Sequence, residues 1–323
     1  MSLSEREEIA AAVERLHMLT GISRWTLARQ AGISGSTWSE WRGRRGQETR
    51  HGSSVPGQRR RHTPEEREAV IRYVLAHADT YEGYRCAAYK MIDAGICCLR
   101  PMSVYRIIRE AGIIKKWAEA SRKQVRKGFE QPKKPDEQWH IDISYVKVMG
   151  AFYYFIGLMD GYSRKIISWS LCGSMDGINA EIVIARAKEA RPGARARVIH
   201  DNGSQFVSRD FKKLISELEL SETASGICHP QSNGKLERFH RTLKEKHVRQ
   251  TPYYSVEDAR AKIGAWISYY NNERLHGAIG YLTPSEVYDG KKEARLAERR
   301  EKLYNADRLR QEYWQDKLKK VAY

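Results

Sequence analysis

The chain has 323 residues, 41% of them hydrophobic, and 57 Lys and Arg stand against 40 Asp and Glu for a formal charge of +17. The length exceeds one ordinary core and points to two or three domains, and the apolar content is enough for globular packing. The charge favours a polyanionic partner, of which nucleic acid is the commonest, over a basic protein with no such partner.

Five cysteines (Cys86, Cys97, Cys98, Cys172 and Cys228) form an odd set without repeated spacing. That argues against a disulfide framework and against zinc, and reads as small core residues in a reducing cytosol. The N-terminal "MSLSEREEIAAAV" is acidic and amphipathic, so it is not read as a signal peptide. The most apolar run, "VMGAFYYFIGLM", is too short to span a bilayer and reads as two strands joined at Met149-Gly150.

In chain order, "TLARQAGISGSTWSEW" at 26–41 predicts a helix, a tight turn at Gly32 and a second helix, the spacing of a helix-turn-helix. Leu27, Ala28, Ala31, Ile33, Trp38 and Trp41 would face inward. Ser34, Ser36, Ser39 and Glu40 would be exposed, and Arg42, Arg44 and Arg45 of "RGRR" would reach phosphates. A plain helical hairpin is the alternative. We assign this module to 1–45, with a basic linker at 46–62.

A second all-α module is expected over 63–114. Thr63, Pro64 and Glu66 carry the signature of a capped helix start. "YRCAAYKMIDAGI" and "PMSVYRIIREAGI" form a further helix pair, with Val104 and Ile107 inward and Ser103, Arg106 and Arg109 placed to meet DNA. Two such units suit a bipartite reader of an extended site, because each alone would bind weakly. A second basic linker follows at 115–137.

After it the pattern turns extended. "QWHIDISYVKV", "FYYFIGLMD" and "RKIISWSLC" predict three strands. Then come a helix at about 177–190, a strand at 196–200, a helix at about 208–219, an extended piece near 221–224 and helices near 231–248 and 255–271. This alternation predicts an α/β mixed sheet flanked by helices over 138–290. A charged helical tail is expected at 291–323, either solvated, packed on a partner or touching DNA.

Three acids in this stretch carry chemistry. Asp142 lies in an apolar strand, with Trp139, Ile141, Ile143 and Tyr145 on one face and His140, Asp142 and Ser144 on the other. A carboxylate there needs a partner, such as a cation, because an unpaired buried charge is costly. Asp201 ends a strand at "HDNG", where ligand groups gather in open α/β sheets. Glu237 shares a helix face with Asn233, Arg241 and Lys244, opposite the core stripe Leu236, Phe239 and Leu243. Carboxylates at one sheet edge suit magnesium or manganese, and a pair of such ions can activate a nucleophile and stabilise a leaving oxygen at phosphorus.

Asp142, Asp201 and Glu237 match the D,D(35)E pattern of retroviral-integrase-like recombinases. With "WHIDISYV", "HDNGSQF", "HPQSNGKLERFHRTLK" and "YYNNERLHGAIGYLTPSEVY", the chain resembles bacterial insertion-sequence transposases over about 120–290. The segment holding "GYRCAAYKMIDAGI" and "SVYRIIREAGI" resembles the one preceding that core in the family. The resemblance implies a ribonuclease-H-like core and two Mg2+ ions (Mn2+ as a substitute) held by Asp142, Asp201 and Glu237. It implies strand cleavage by water at transposon terminal repeats, then attack of the freed 3′-hydroxyl on target DNA. Asn202, Lys235, Arg241 and Lys244 are the candidate DNA contacts near the scissile phosphate. Double-stranded DNA, a homo-oligomer in a synaptic complex, no membrane and a cytoplasmic, nucleoid-associated place in a bacterium complete the expectation.

Two departures stand out: both helical modules and the core lie in one reading frame, and the tail is longer than the resemblance requires. A DNA-binding regulator with a silent core, and a nuclease acting on hybrid duplexes, are the competing readings. If phosphate contacts dominate, log affinity for duplex DNA falls against log salt with a slope of about −0.9 per phosphate neutralised; a flat profile in a salt titration counts against the basic-surface reading.

Overall fold

The computed structural model describes residues 3–34, 37–38, 62–113, 131–201, 203–224 and 234–321. The chain divides into two compact units, at Met1–Arg61 and His62–Tyr323.

In the first unit, α1 (Leu3–Thr20) and α2 (Arg24–Gln30) are joined through Gly21. The Ser23 side chain accepts from the Thr26 amide and caps α2. Gly32 follows α2 with φ +75°, the left-handed turn its position predicted. Ser34 then accepts from the Thr37 amide and opens a further helical turn at 37–38. Val13, Leu27, Ala28, Ile33 and Trp38 form the core. Ala31 is exposed rather than inward, because it is the C-cap of α2, where the chain leaves helical rotation. Trp41, Ser36, Ser39, Arg42, Arg44 and Arg45 lie outside the described residues.

The second unit opens with three helices, α3 (Pro64–Ala76), α4 (Tyr84–Asp93) and α5 (Pro101–Glu110). The predicted capping box is present: Thr63 accepts from the Glu66 amide, and Glu66 accepts from the Thr63 amide. Val70, Val74, Ala88, Met91, Val104, Ile107 and Ile108 pack the core between them. Arg106 and Arg109 are exposed on α5, and Ser103 is half-buried. Cys86, Cys97, Cys98 and Cys172 are free thiols, and burial pushes Cys97 up to about 12.

The sheet follows, in the order β3-β2-β1-β4-β5. Its strands are β1 (Gln138–Val148), β2 (Ala151–Asp160), β3 (Ile166–Cys172), β4 (Arg197–His200) and β5 (Ser221–Ala224). β1 and β2 form a hairpin whose two turn residues, Met149 and Gly150, both take positive φ (48° and 86°). Two left-handed residues match the twist of the flanking strands. β1 is central, antiparallel to β2 and parallel to β4. On one face, α6 (Gly177–Ala190) and α7 (Arg209–Glu217) pack on Trp139, Ile141, Ile156, Leu158 and Val198. On the other, α8 (Gly234–Leu243) and α9 (Val256–Asn272) pack on Val146, Val148, Phe155 and Met159. The strand alternation read from the sequence thus divides the two cores. Tyr145 keeps its face but lies beyond the helical cover, at 53% exposure. The short α10 (Pro284–Tyr288) leads into α11 (Lys292–Val321), the predicted tail helix.

Among the described residues no helix is long and apolar enough to cross a membrane. Thr63→Ala removes one side of a complete capping box and should cost about 1 kcal/mol. Hydrogen exchange of the first-turn amides of α3 should accelerate about fivefold, while the β1 amides keep their protection.

Candidate active site

Asp142 stands in the middle of β1, on the face covered by α8. Its Oδ1 accepts from the Ile143 amide at 2.9 Å, and its carboxylate is 18% exposed. The other oxygen, Oδ2, lies 3.4 Å from Nδ1 of His240. His240 is buried on α8, one turn after Glu237, with its ring edge-on to Phe155 and Phe239. Its Nε2 has no hydrogen-bond partner among the described residues. The ring sits over Gly157, the residue paired with Asp142 across the β1–β2 ladder, and a Cβ there would lie 3.7 Å from Nε2. The tight contact of such a Cβ would be with the Phe155 ring, while 3.7 Å from the imidazole is ordinary packing.

Asp201 is the first residue past β4. The parallel pairing of β1 with β4 runs as far as His140 against Ile199, so Asp201 follows the end of the strand that neighbours β1. Asp201 is exposed, and its Oδ1 accepts from the Gly203 amide at 3.1 Å in an Asx-type turn. Behind it, the buried His200 donates from Nδ1 to the Asp201 carbonyl at 2.6 Å, and its Nε2 lies 3.5 Å from a carboxylate oxygen of Glu222 on β5. Asn202 lies outside the described residues.

Glu237 lines a cavity of about 320 Å³ with His240, Arg241, Lys244, Glu245 and Arg249. The helix face read from the sequence thus brings Glu237, Arg241 and Lys244 together as expected. Past Leu243 the helix widens into a π turn, Lys244–Val248, which carries Lys244 and Glu245 at this cavity. Burial holds the Lys244 ammonium below its ordinary pKa, the Arg249 guanidinium lowers it further, and Asp142 opposes both. His240, which lies against Asp142 and lines the same cavity, is the contact between the two.

Lys235 is not among the residues lining that cavity. Its ammonium donates to the Gly161 carbonyl at 2.9 Å, and burial, with help from Arg164, brings its pKa down to about 8. The residue expected near the scissile phosphate instead fastens the start of α8 to the turn after β2. His240 and Arg249 are the residues that sequence reasoning did not place. His240 lies three residues after Glu237 in the sequence, but nothing in that spacing says that it faces Asp142.

Carboxylate oxygens from β1, from the residue after β4 and from α8 are hard donors of the kind a divalent cation takes. Among the described residues, however, no three His, Cys, Asp or Glu side chains are grouped closely enough to hold one metal ion. The donor chemistry fits; a closed coordination shell is not formed by these side chains alone.

Two family models, both of the integrase core domain, match the chain over residues 132–230 and 220–284, a stretch that includes all three acids. The chain carries an integrase core domain. Its relatives include the transposase for insertion sequence element IS904 of Lactococcus lactis subsp. lactis, 25% identical over 154 residues, which are 47% of this chain and 61% of that one. The putative transposase for IS986/IS6110 of Mycobacterium tuberculosis is 24% identical over 164 residues, 48% of this chain and 59% of that one. The chain thus spans about three-fifths of the length of these relatives. Among solved structures, the simian T-cell lymphotropic virus intasome in complex with the PP2A regulatory subunit B56 gamma is similar with a TM-score of 0.45 at 18% identity, covering 67% of this chain and 73% of that one. The HTLV-2 integrase catalytic core domain in complex with magnesium gives 0.41 at 17%, covering 49% and 99%. The resemblance to insertion-sequence transposases holds, and the domain that carries it is the mixed sheet flanked by helices that the sequence predicted.

The packing of the integrase core around Asp142 leaves little room at Gly157. A Cβ there would stand 2.9 Å from the Phe155 ring, so Gly157→Val should force that ring and the His240 ring to move. Overpacking of that kind costs about 1–3 kcal/mol; a denaturant midpoint equal to that of the parent would show that the rings have room to shift.

Proposed function

We propose that this protein is a transposase that binds the terminal inverted repeats of its element, cuts DNA strands at the ends and joins the 3′-hydroxyls to target DNA. The observation that carries the reading is the placement of Asp142, Asp201 and Glu237 within one integrase core, on β1, at the end of β4 and on α8. The substrate is double-stranded DNA, and the active assembly is a homo-oligomer that synapses two ends in the bacterial cytoplasm.

Each residue has a task that its surroundings support. The amide of Ile143 holds one oxygen of Asp142, and His240 abuts the other, so the carboxylate cannot swing freely. Gly203 turns Asp201 outward at the sheet edge. Arg241, Lys244 and Arg249 give the Glu237 cavity a cationic wall, which draws in and orients a phosphodiester. Asp142, Asp201 and Glu237 would hold the Mg2+ ions, which activate the attacking oxygen and stabilise the leaving one. Asn202, as the neighbour of Asp201, would contact DNA there. The exposed Arg106 and Arg109 of α5, with Ser103, would read the element's end, and Ser36, Ser39, Arg42, Arg44 and Arg45 of the first module a second part of it.

A DNA-binding regulator with a silent core is the second reading. One assay separates them: labelled duplexes carrying the element's ends, with Mg2+, for the parent, Glu237→Gln and Arg106→Ala. The transposase reading expects joined products from the parent, none from Glu237→Gln despite unchanged end binding, and weakened end binding from Arg106→Ala. End binding without cleavage by the parent establishes the regulator, and normal cleavage by Glu237→Gln removes Glu237 from the site.

A further inference from the structure

The tail helix α11 carries arginines where an amphipathic helix would carry leucines. Arg299 and Arg310 are 3% and 3% exposed, whereas Leu309 and Leu318 are 59% and 48% exposed. Those buried cations are not free to meet DNA. Each is answered by the second helical module, and the contacts fall on the ends of its helices.

Arg299 makes a two-pronged pair with Asp93, at the end of α4, with distances of 2.7 and 2.6 Å. The same guanidinium donates to the carbonyls of Gly280 and Tyr281 in the integrase core, at 3.0 and 2.8 Å, and lies over the Tyr89 ring of α4. Tyr89 in turn stacks on Tyr281, with ring centroids 4.9 Å apart. One side chain therefore joins the tail, the module and the core. Lys302 donates to the carbonyls of Ile92 and Asp93, capping the C-terminus of α4. Further along, Arg310 pairs with Glu66 at the start of α3 and donates to the Cys98 carbonyl in the turn between α4 and α5. Asp307 receives both prongs of Arg100, which caps the start of α5. A planar guanidinium held by a carboxylate at two points fixes orientation as well as distance.

We propose that α11 is a strap that locks the second helical module onto the integrase core, so that α5 and the Asp142 site keep one fixed separation. The strap grips the helix ends and the α4–α5 turn, while Arg106 and Arg109 stay exposed on α5. The consequence for DNA rests on the proposed function: the cut would fall at a set distance from the sequence that α5 holds. The docking itself does not depend on that reading.

The test uses the full chain with a protease site inserted between Lys123 and Gln124. After cutting, the two pieces should co-elute in size exclusion at low micromolar concentration. Arg299→Ala with Arg310→Ala should abolish co-elution while the α4 amides keep their hydrogen-exchange protection. Separation of the parent's pieces, or continued co-elution of the double variant, overturns the strap. Separation with loss of α4 protection also overturns it, since α11 would then be a folding element of the module. In uncut protein, end cleavage by the parent should map to one position and that of the double variant to several; a single position in both also overturns the fixed-separation claim. Failure of every variant to cleave DNA sinks the proposed function and leaves the co-elution result standing.

Discussion

A carboxylate in the middle of the central strand is the constraint around which the integrase core is arranged. Asp142 has apolar neighbours on both sides in sequence, and half-burial makes its charge expensive unless something answers it. The sheet answers with a backbone amide on one oxygen and an imidazole on the other. The imidazole comes from α8, one turn beyond Glu237. The packing that places Leu236, Phe239 and Leu243 in the core leaves Glu237 exposed on the same helix, at the cavity that His240 also lines.

The surplus of positive charge divides into two populations. Arg241, Lys244 and Arg249 gather at a cavity beside Glu237, where their mutual repulsion is tolerated because carboxylates stand near. Arg295, Arg299, Lys302 and Arg310 are engaged inside the protein by Asp93, Glu66 and helix-end carbonyls. A net charge of +17 therefore overstates the cationic surface left for a polyanion. Buried ion pairs of this sort add orientation more surely than stability, because desolvation offsets much of their attraction.

The segment 270–290 gains a physical role from these contacts. Arg274 reaches Glu82 of the second module at 3.2 Å, and Tyr281 meets both Tyr89 and Arg85. Asn271 bonds both backbone groups of Ile166 and so ties the end of α9 to β3. A stretch of polar and aromatic residues that looked like a family motif is, in three dimensions, the platform on which sheet, module and tail meet.

The strands, most helices, the Thr63 capping box and the Met149-Gly150 turn were legible in the sequence, because each rests on local periodicity or on backbone preferences of the residues themselves. So was the shared face of Glu237, Arg241 and Lys244, which follows from helical spacing alone. The fate of individual cations was not legible. Lys235 and Lys244 lie nine residues apart on one helical stretch with the same chemistry, yet one bonds the Gly161 carbonyl and the other stands at the cavity. Ala31 carried the right spacing for the core but fell on a helix end, where rotation stops. In the charged tail, Arg299 and Arg310 take buried positions while Leu309 and Leu318 stay exposed. Local pattern fixes which elements form, because backbone preference acts over a few residues. Which charge meets which partner depends on residues more than 200 positions apart, as with Arg299 and Asp93, and only the folded chain brings those together.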